Sequence, residues 1–204
     1  MGVFVKICGI ASAGDCAAVA ALQPDALGFV FWPHSPRAVT PEAVGDWTSR
    51  IDSRIVRVGV FVDEQPDEVA RVMRRAGLDV AQLHGRERLE DFRNVEGRKW
   101  KVVHLDRVEM DQVATTHVDA FLIDSYSAAS PGGTGQQADW PMARCFVESV
   151  NVPVLLAGGL RPENIREAIA QVRPWGVDVS SGVEARPGVK DLDRVRSFVE
   201  ACRS

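Results

Sequence analysis

Eight short apolar runs, each followed by a stretch of helical spacing, constrain this chain more than any other feature. The runs span residues 3–8, 26–31, 55–62, 79–83, 100–105, 119–124, 153–157 and 177–180. Their length and their valine, isoleucine and phenylalanine content predict buried strands. Several intervening segments open with helix-start chemistry. Thr40-Pro41 offers a cap followed by proline at the first helical position. Gln65-Pro66-Asp67-Glu68 and Arg161-Pro162-Glu163-Asn164 start the same way, with acids where the helix dipole favours them. Asp191 caps a helix over 192–202, and the fifth helix, near 109–116, has the weakest pattern. Strict alternation of strand and helix calls for parallel strands, because a parallel pair needs a crossover. Within 204 residues this predicts one (β/α)8 TIM barrel over 1–204 as a single domain, with a doubly wound open sheet as the alternative.

A barrel places functional side chains at the C-terminal ends of its strands and in the loops that follow. The unusual residues of this sequence fall there: Cys8, Arg37, Asp63, His84, Asp124, Gly158-Gly159 and Ser180-Ser181-Gly182. A net charge of -4 gives no reason to expect nucleic acid or an anionic membrane as partner. No apolar run is long enough to span a bilayer, and the N-terminus lacks the pattern of a secretory signal. The cysteines, Cys8, Cys16, Cys145 and Cys202, form no C-x-x-C pair, and no histidine stands at metal-ligand spacing from them. That scatter predicts reduced thiols in a cytoplasm and no metal site. Cys16, Cys145 and Cys202 lie in helical patterns and read as packing residues. Nothing marks an interface, so a monomer is the default expectation and a dimer stays open.

In the first strand Val5 and Ile7 share one face, Lys6 and Cys8 the other. A lysine and a thiol together suit the mouth of a barrel, although a lone cysteine, taken by itself, reads as a small buried hydrophobe. The sixth strand ends in Asp124, a turn cap or a proton donor. A long polar loop and Gly132-Gly133-Thr134-Gly135 follow it. Glycine runs let backbone N–H groups approach an anion. Gly158-Gly159 and Ser180-Ser181-Gly182 follow strands seven and eight, where barrels commonly hold a substrate phosphate. Arg37, in the proline-stiffened Trp32-Pro33-His34-Ser35-Pro36-Arg37, presents a fork suited to a carboxylate. His84 either donates to a ligand or satisfies a backbone carbonyl. Asp178 either bonds a substrate hydroxyl or pairs with Lys6, an electrostatic support. One acid and one thiol opposite phosphate loops point to proton transfer on a phosphorylated small molecule, chemistry that needs neither metal nor cofactor.

The chain resembles the phosphoribosylanthranilate isomerases of tryptophan biosynthesis nearly end to end. The likeness rests on Lys6-Ile7-Cys8-Gly9, on Gly28-Phe29-Val30-Phe31 with Ser35-Pro36-Arg37, and on Val58-Gly59-Val60-Phe61-Val62. It continues through Gln82-Leu83-His84-Gly85, Asp124 with Gly132-Gly133-Thr134-Gly135, and Leu156-Ala157-Gly158-Gly159-Leu160. It closes on Asp178-Val179-Ser180-Ser181-Gly182-Val183-Glu184 and Pro187-Gly188-Val189-Lys190-Asp191. The resemblance implies a (β/α)8 barrel that converts N-(5-phosphoribosyl)anthranilate to the deoxyribulose phosphate isomer by an Amadori rearrangement. It implies Asp124 as general acid, Cys8 as general base, Arg37 as holder of the anthranilate carboxylate, and the loops after strands seven and eight as the phosphate site. The expected substrate-binding residues are thus Arg37, His84, Gly133, Gly158, Gly159, Asp178, Ser180, Ser181 and Gly182. The sequence departs from the family pattern at Ala11, where threonine is usual, and in the alanine- and serine-rich loop before Gly132.

Three other readings compete. An isomerase of the histidine-pathway aminoaldose phosphate shares the barrel and phosphate loops but typically uses paired aspartates, against Cys8. A phosphosugar epimerase would usually want metal ligands that this sequence does not assemble. A non-catalytic phosphosugar-binding module needs the glycines but has no use for Cys8 and Asp124 together.

Overall fold

The computed structural model describes residues 2–105, 118–124 and 139–204. Eight parallel strands close into a barrel in sequence order: β1 (Phe4–Ile7), β2 (Ala26–Val30), β3 (Val56–Phe61), β4 (Val80–Leu83), β5 (Arg98–Val103), β6 (Ala120–Ile123), β7 (Val154–Leu156) and β8 (Gly176–Val179). Closure is made by β1 against β8, with Lys6 opposite Asp178 and Ile7 opposite Val179. All eight expected strands are present, each trimmed or shifted by a residue or two at its ends.

Helices α1 (Ala13–Ala20), α2 (Pro41–Thr48), α3 (Pro66–Ala76), α4 (Trp140–Ser149), α5 (Ile165–Val172) and α6 (Leu192–Arg203) pack outside. Their starts follow the local chemistry. Thr40 Oγ1 accepts the N–H of Ala43 with Pro41 at the first helical position. Asp191 accepts the N–H groups of Asp193 and Arg194. Ser12, beside the unusual Ala11, accepts the N–H of Asp15 and so starts α1. α3 ends at Gly77, whose φ of 62° gives the left-handed turn that halts a helix. A short antiparallel pair, β9 (Glu184–Arg186) and β10 (Val189–Lys190), follows β8.

Two expectations need correction. The helix after β7 starts at Ile165 rather than at Pro162. The Asn164 side chain accepts the N–H of Arg161 (2.9 Å) and donates to the carbonyl of Gly159 (3.0 Å), and the Arg161 carbonyl accepts the N–H groups of Asn164 and Ile165, so residues 161–164 form a clasped turn that leads into the helix. Cys16 and Cys202 are buried as expected, but Cys145 is exposed. On α4 the buried positions are Trp140, Ala143 and Phe146, a spacing that turns residue 145 outward. The helix expected near 109–116 and the glycine run 132–135 lie outside the described residues. Among the described residues, no helix is long and apolar enough to cross a membrane.

The barrel has two apolar layers. Inside, Ala26, Val58, Val80, Trp100, Leu122 and Leu155 fill the lower part. Outside, Val5, Ile7, Leu27, Phe29, Ile123 and Val177 meet the helices. The N-terminal rim is shut by a stack of Phe4 on Trp175, with centroids 4.4 Å apart, and by Trp100 edge-on to both. Three aspartates just before even strands repeat one device on this rim. Asp25 accepts the N–H of Val5 (2.8 Å), Asp79 that of Arg57 (2.8 Å) and Asp119 that of Lys99 (2.7 Å). Each aspartate's own N–H returns a bond to the carbonyl of the same residue. With the lower barrel packed and capped, room for a ligand remains at the C-terminal end.

Candidate active site

Cys8 stands one residue beyond β1, 8% exposed. Its N–H donates to the carbonyl of Val179, which ties it to β8. Gly9 then turns with a φ of 77°, so its carbonyl and amide can leave the strand path. A Cβ on Gly9 would lie 2.5 Å from Cδ of Arg37 and 2.9 Å from Oγ of Ser180, so the chain passes there beneath both side chains. A Cβ on Gly28 would lie 2.7 Å from the Cys8 sulfur, and the missing side chain is the space the thiol occupies.

Lys6 is wholly buried, and its Nζ donates to Oδ1 of Asp178 at 2.9 Å. Of the two uses open to Asp178, the structure shows the pairing with Lys6. Burial works against the Lys6 ammonium, yet Asp178 and Cys8 hold it above the ordinary lysine value. Burial first, with Asp178, holds the Cys8 thiol above its ordinary value, against the downward pull of Lys6.

Arg37 sits on a carboxylate of the protein. Its Nε and Nη2 donate to the two oxygens of Glu184 at 2.8 and 2.7 Å, and Lys190 Nζ adds 3.0 Å to Glu184 and 3.2 Å to the Ser180 carbonyl. Burial would raise Glu184, but Arg37 and Lys190 hold it below the usual carboxylate range. The side-on edge of the guanidinium is therefore taken, and the end-on edge, Nη1 with Nη2, is the one geometrically available to a second carboxylate. Sequence reasoning missed Glu184 and Lys190 as site residues, although both fall within its quoted motifs. The run Val183-Glu184 after small residues, followed by Pro187-Gly188, carried the signal.

Asp124, 8% exposed, follows β6. It lines one cleft with Ala157, Gly158, Gly159, Asp178, Ser180 and Gly182, a space of roughly 370 Å³ continuous with solvent. Gly158 and Gly159 have φ of 86° and 65°, open to glycine and strained for other residues. Among the described residues no backbone carbonyl takes the N–H of Gly158, Gly159, Ser181 or Gly182. A Cβ on Gly182 would lie 1.9 Å from the carbonyl oxygen of Leu160, so the two loops meet backbone to backbone there. The cleft thus offers amides and hydroxyls from two touching loops to an anion, with Asp124 across from them. The expected Gly133 lies outside the described residues.

His84 follows β4 with its Nε2 3.5 Å from Oδ2 of Asp124, and no hydrogen bond joins them. Burial first, then nearby His104, Lys6 and Lys101, push its pKa down to about 3. The imidazole is neutral at neutral pH. Unfolded histidine takes a proton near pH 6.5, so below that pH the unfolded chain binds the proton and the native one does not. Stability therefore falls as pH drops from about 6.5 toward 3. We expect His84→Gln to flatten that part of the curve of Tm against pH. An unchanged slope would show that His84 is not what titrates.

A family model described as N-(5'phosphoribosyl)anthranilate (PRA) isomerase matches residues 5–201. The chain belongs to that family. A PRA isomerase of Trichlorobacter lovleyi is 42% identical over 196 residues, 96% of this chain and 95% of that protein. The crystal structure of the PRA isomerase of Thermotoga maritima superposes with a TM-score of 0.88 at 35% identity, covering 98% of each chain. A second PRA isomerase structure, a complex with reduced 1-(o-carboxyphenylamino)-1-deoxyribulose 5-phosphate, matches with a TM-score of 0.84 at 35% identity and the same coverage. The PRA isomerase fold of this chain is therefore the (β/α)8 barrel, and the open sheet is set aside.

Proposed function

We propose that this chain isomerises N-(5-phosphoribosyl)anthranilate in tryptophan biosynthesis by an Amadori rearrangement, with Asp124 as general acid and Cys8 as general base. The observation that carries the reading is the cleft in which Asp124 lines the same space as the two touching glycine loops, with Gly9, the neighbour of Cys8, against Ser180 of that cleft and Arg37. The phosphate is bound by the amides of Gly158, Gly159, Ser181 and Gly182 and by the hydroxyls of Ser180 and Ser181. The anthranilate carboxylate takes the end-on edge of Arg37, whose other edge Glu184 holds still.

Asp124 gives its proton to the ring oxygen of the furanose as the C1–O bond breaks, and the anthranilate nitrogen supplies the electrons to form a C1=N iminium. Cys8 thiolate then takes the proton from C2: the C–H bond breaks, S–H forms, and the electrons move to C1=C2 and neutralise the iminium. The resulting enolamine tautomerises to the ketone. The neutral His84 imidazole, at 3.5 Å from Asp124, is a hydrogen-bonding partner for a sugar oxygen at this carboxyl. No electrons enter or leave overall, so the residues described suffice.

The test is a coupled assay in which phosphoribosylanthranilate is formed from anthranilate and phosphoribosyl pyrophosphate by an added transferase. Rapid loss of anthranilate-type fluorescence on adding this protein supports the reading. A folded protein that gives no loss overturns it. In the same assay Arg37→Ala raises KM about 10- to 100-fold with a smaller effect on kcat, and Arg37→Lys falls between. Unchanged constants would remove Arg37 from the carboxylate site.

A further inference from the structure

Lys6 is a cation with no exposed surface in the wall of an enzyme barrel. A buried ion pair such as Lys6–Asp178 gives a fold less than well-packed apolar residues of the same volume would. Its placement points elsewhere. Lys6 and Cys8 are two residues apart on one strand face. Gly28, on the neighbouring strand, leaves one gap that both enter: its absent Cβ would lie 2.7 Å from the Cys8 sulfur and 3.1 Å from Cε of Lys6, the carbon that bears the ammonium.

We propose that Lys6, held by Asp178, is a positioning residue that supplies the fixed counter-charge beside which the Cys8 sulfur becomes an anion. The proposal rests on Cys8 acting as the base. Other charges facing the sulfur are already committed. Arg37, from the loop after β2, spends its side-on edge on Glu184. Lys190, from β10, is shared between Glu184 and the Ser180 carbonyl. Asp178, from β8, opposes the anion. Among the charges that pull the Cys8 thiol down, Lys6 acts most strongly. When Cys8 takes the substrate proton, the S–H bond forms and Lys6 keeps its own proton throughout. The Lys6–Asp178 pair is thus the same before and after turnover, and only the sulfur changes charge.

The experiment follows the thiolate's ultraviolet absorbance against pH in resting protein. A Cys145→Ser background removes the exposed thiol, and the Cys8→Ser signal is subtracted. Cys16 and Cys202, which burial pushes up to about 11 and about 12, are common to both proteins and cancel in the subtraction. Lys6→Met should move the Cys8 titration upward by about one pH unit or more, and Lys6→Arg should restore most of it. Near neutral pH kcat should fall about tenfold in Lys6→Met and recover as pH rises. A folded Lys6→Met variant with an unmoved titration overturns the proposal. Should that variant fail to fold for want of a partner to Asp178, Lys6→Met with Asp178→Asn carries no buried charge at this pair. A smaller upward movement is expected there, because Asp178 no longer opposes the anion, and none would overturn the proposal. The titration needs no turnover, so loss of the isomerase reading and loss of this assignment are separate results.

Discussion

Cys8→Ser lowers kcat by about a hundred- to ten-thousandfold, the range over which a positioned base contributes, and leaves the circular dichroism spectrum unchanged. Serine keeps the shape of the residue in the gap left by Gly28 but is too weak an acid to exist as an anion there. Asp124→Asn produces a loss of the same order for the opposite reason: the amide keeps the hydrogen-bonding outline and has no acidic proton to give. The two variants fail at different steps. Asp124→Asn stops before the ring opens, and Cys8→Ser after it. Neither variant should exchange the C2 proton with solvent, and a single-turnover absorbance trace separates them, because only Cys8→Ser can form the ring-opened Schiff base. If either variant retained turnover within a few-fold of wild type, its residue would lose the assigned proton.

Glu87→Ala destabilises the fold by about 3 kcal/mol, as expected for stranding a buried charge and two amides. For a chain of this length that is a fall in Tm of roughly 6–12 °C. The Glu87 carboxyl, 2% exposed, bonds Lys101 at 2.7 Å and accepts the N–H groups of Asp63 (2.8 Å) and Gly85 (3.0 Å). Lys101 in turn donates to the Gly85 carbonyl. One side chain thereby fastens the ends of β3, β4 and β5 just past His84. Glu68→Ala is the control: its pair with Arg71 lies along one helix in solvent, where such pairs contribute little. A Tm for Glu87→Ala equal to that of the control would show the strut to be redundant.

The barrel was legible because its information is local. An apolar run, a helix-start residue and a glycine each act within a few positions, and eight repetitions leave few architectures. The placement of Cys8, Asp124, Gly158-Gly159 and Ser180-Ser181-Gly182 just past strand ends was legible because the strands themselves were. What escaped is what depends on partners far apart in sequence. Arg37 reads as a free fork, and nothing near it announces that Glu184, 147 residues later, holds one edge. Asp178 had two possible uses until closure of the barrel set it opposite Lys6. Glu87 and Lys101 look like ordinary surface charges, since their burial is made by three strand ends converging. Asn164 looks like part of a helix start because its side chain's hold on the Gly159 carbonyl belongs to the loop.

The aspartates on the N-terminal rim give the barrel a grain. Asp25 joins β1 to β2, Asp79 joins β3 to β4, and Asp119 joins β5 to β6, each through a reciprocal pair of bonds to one residue. The β7–β8 seam has no such aspartate, since Trp175 enters β8. The sheet is thus a ring of doublets, and its seams are not equivalent. In hydrogen exchange, the amides of Val5, Arg57 and Lys99 should open last on that rim, and the first breach should run between doublets or beside β8. A barrel that yields along chosen seams can let the β8 wall move during turnover while the doublets keep their register.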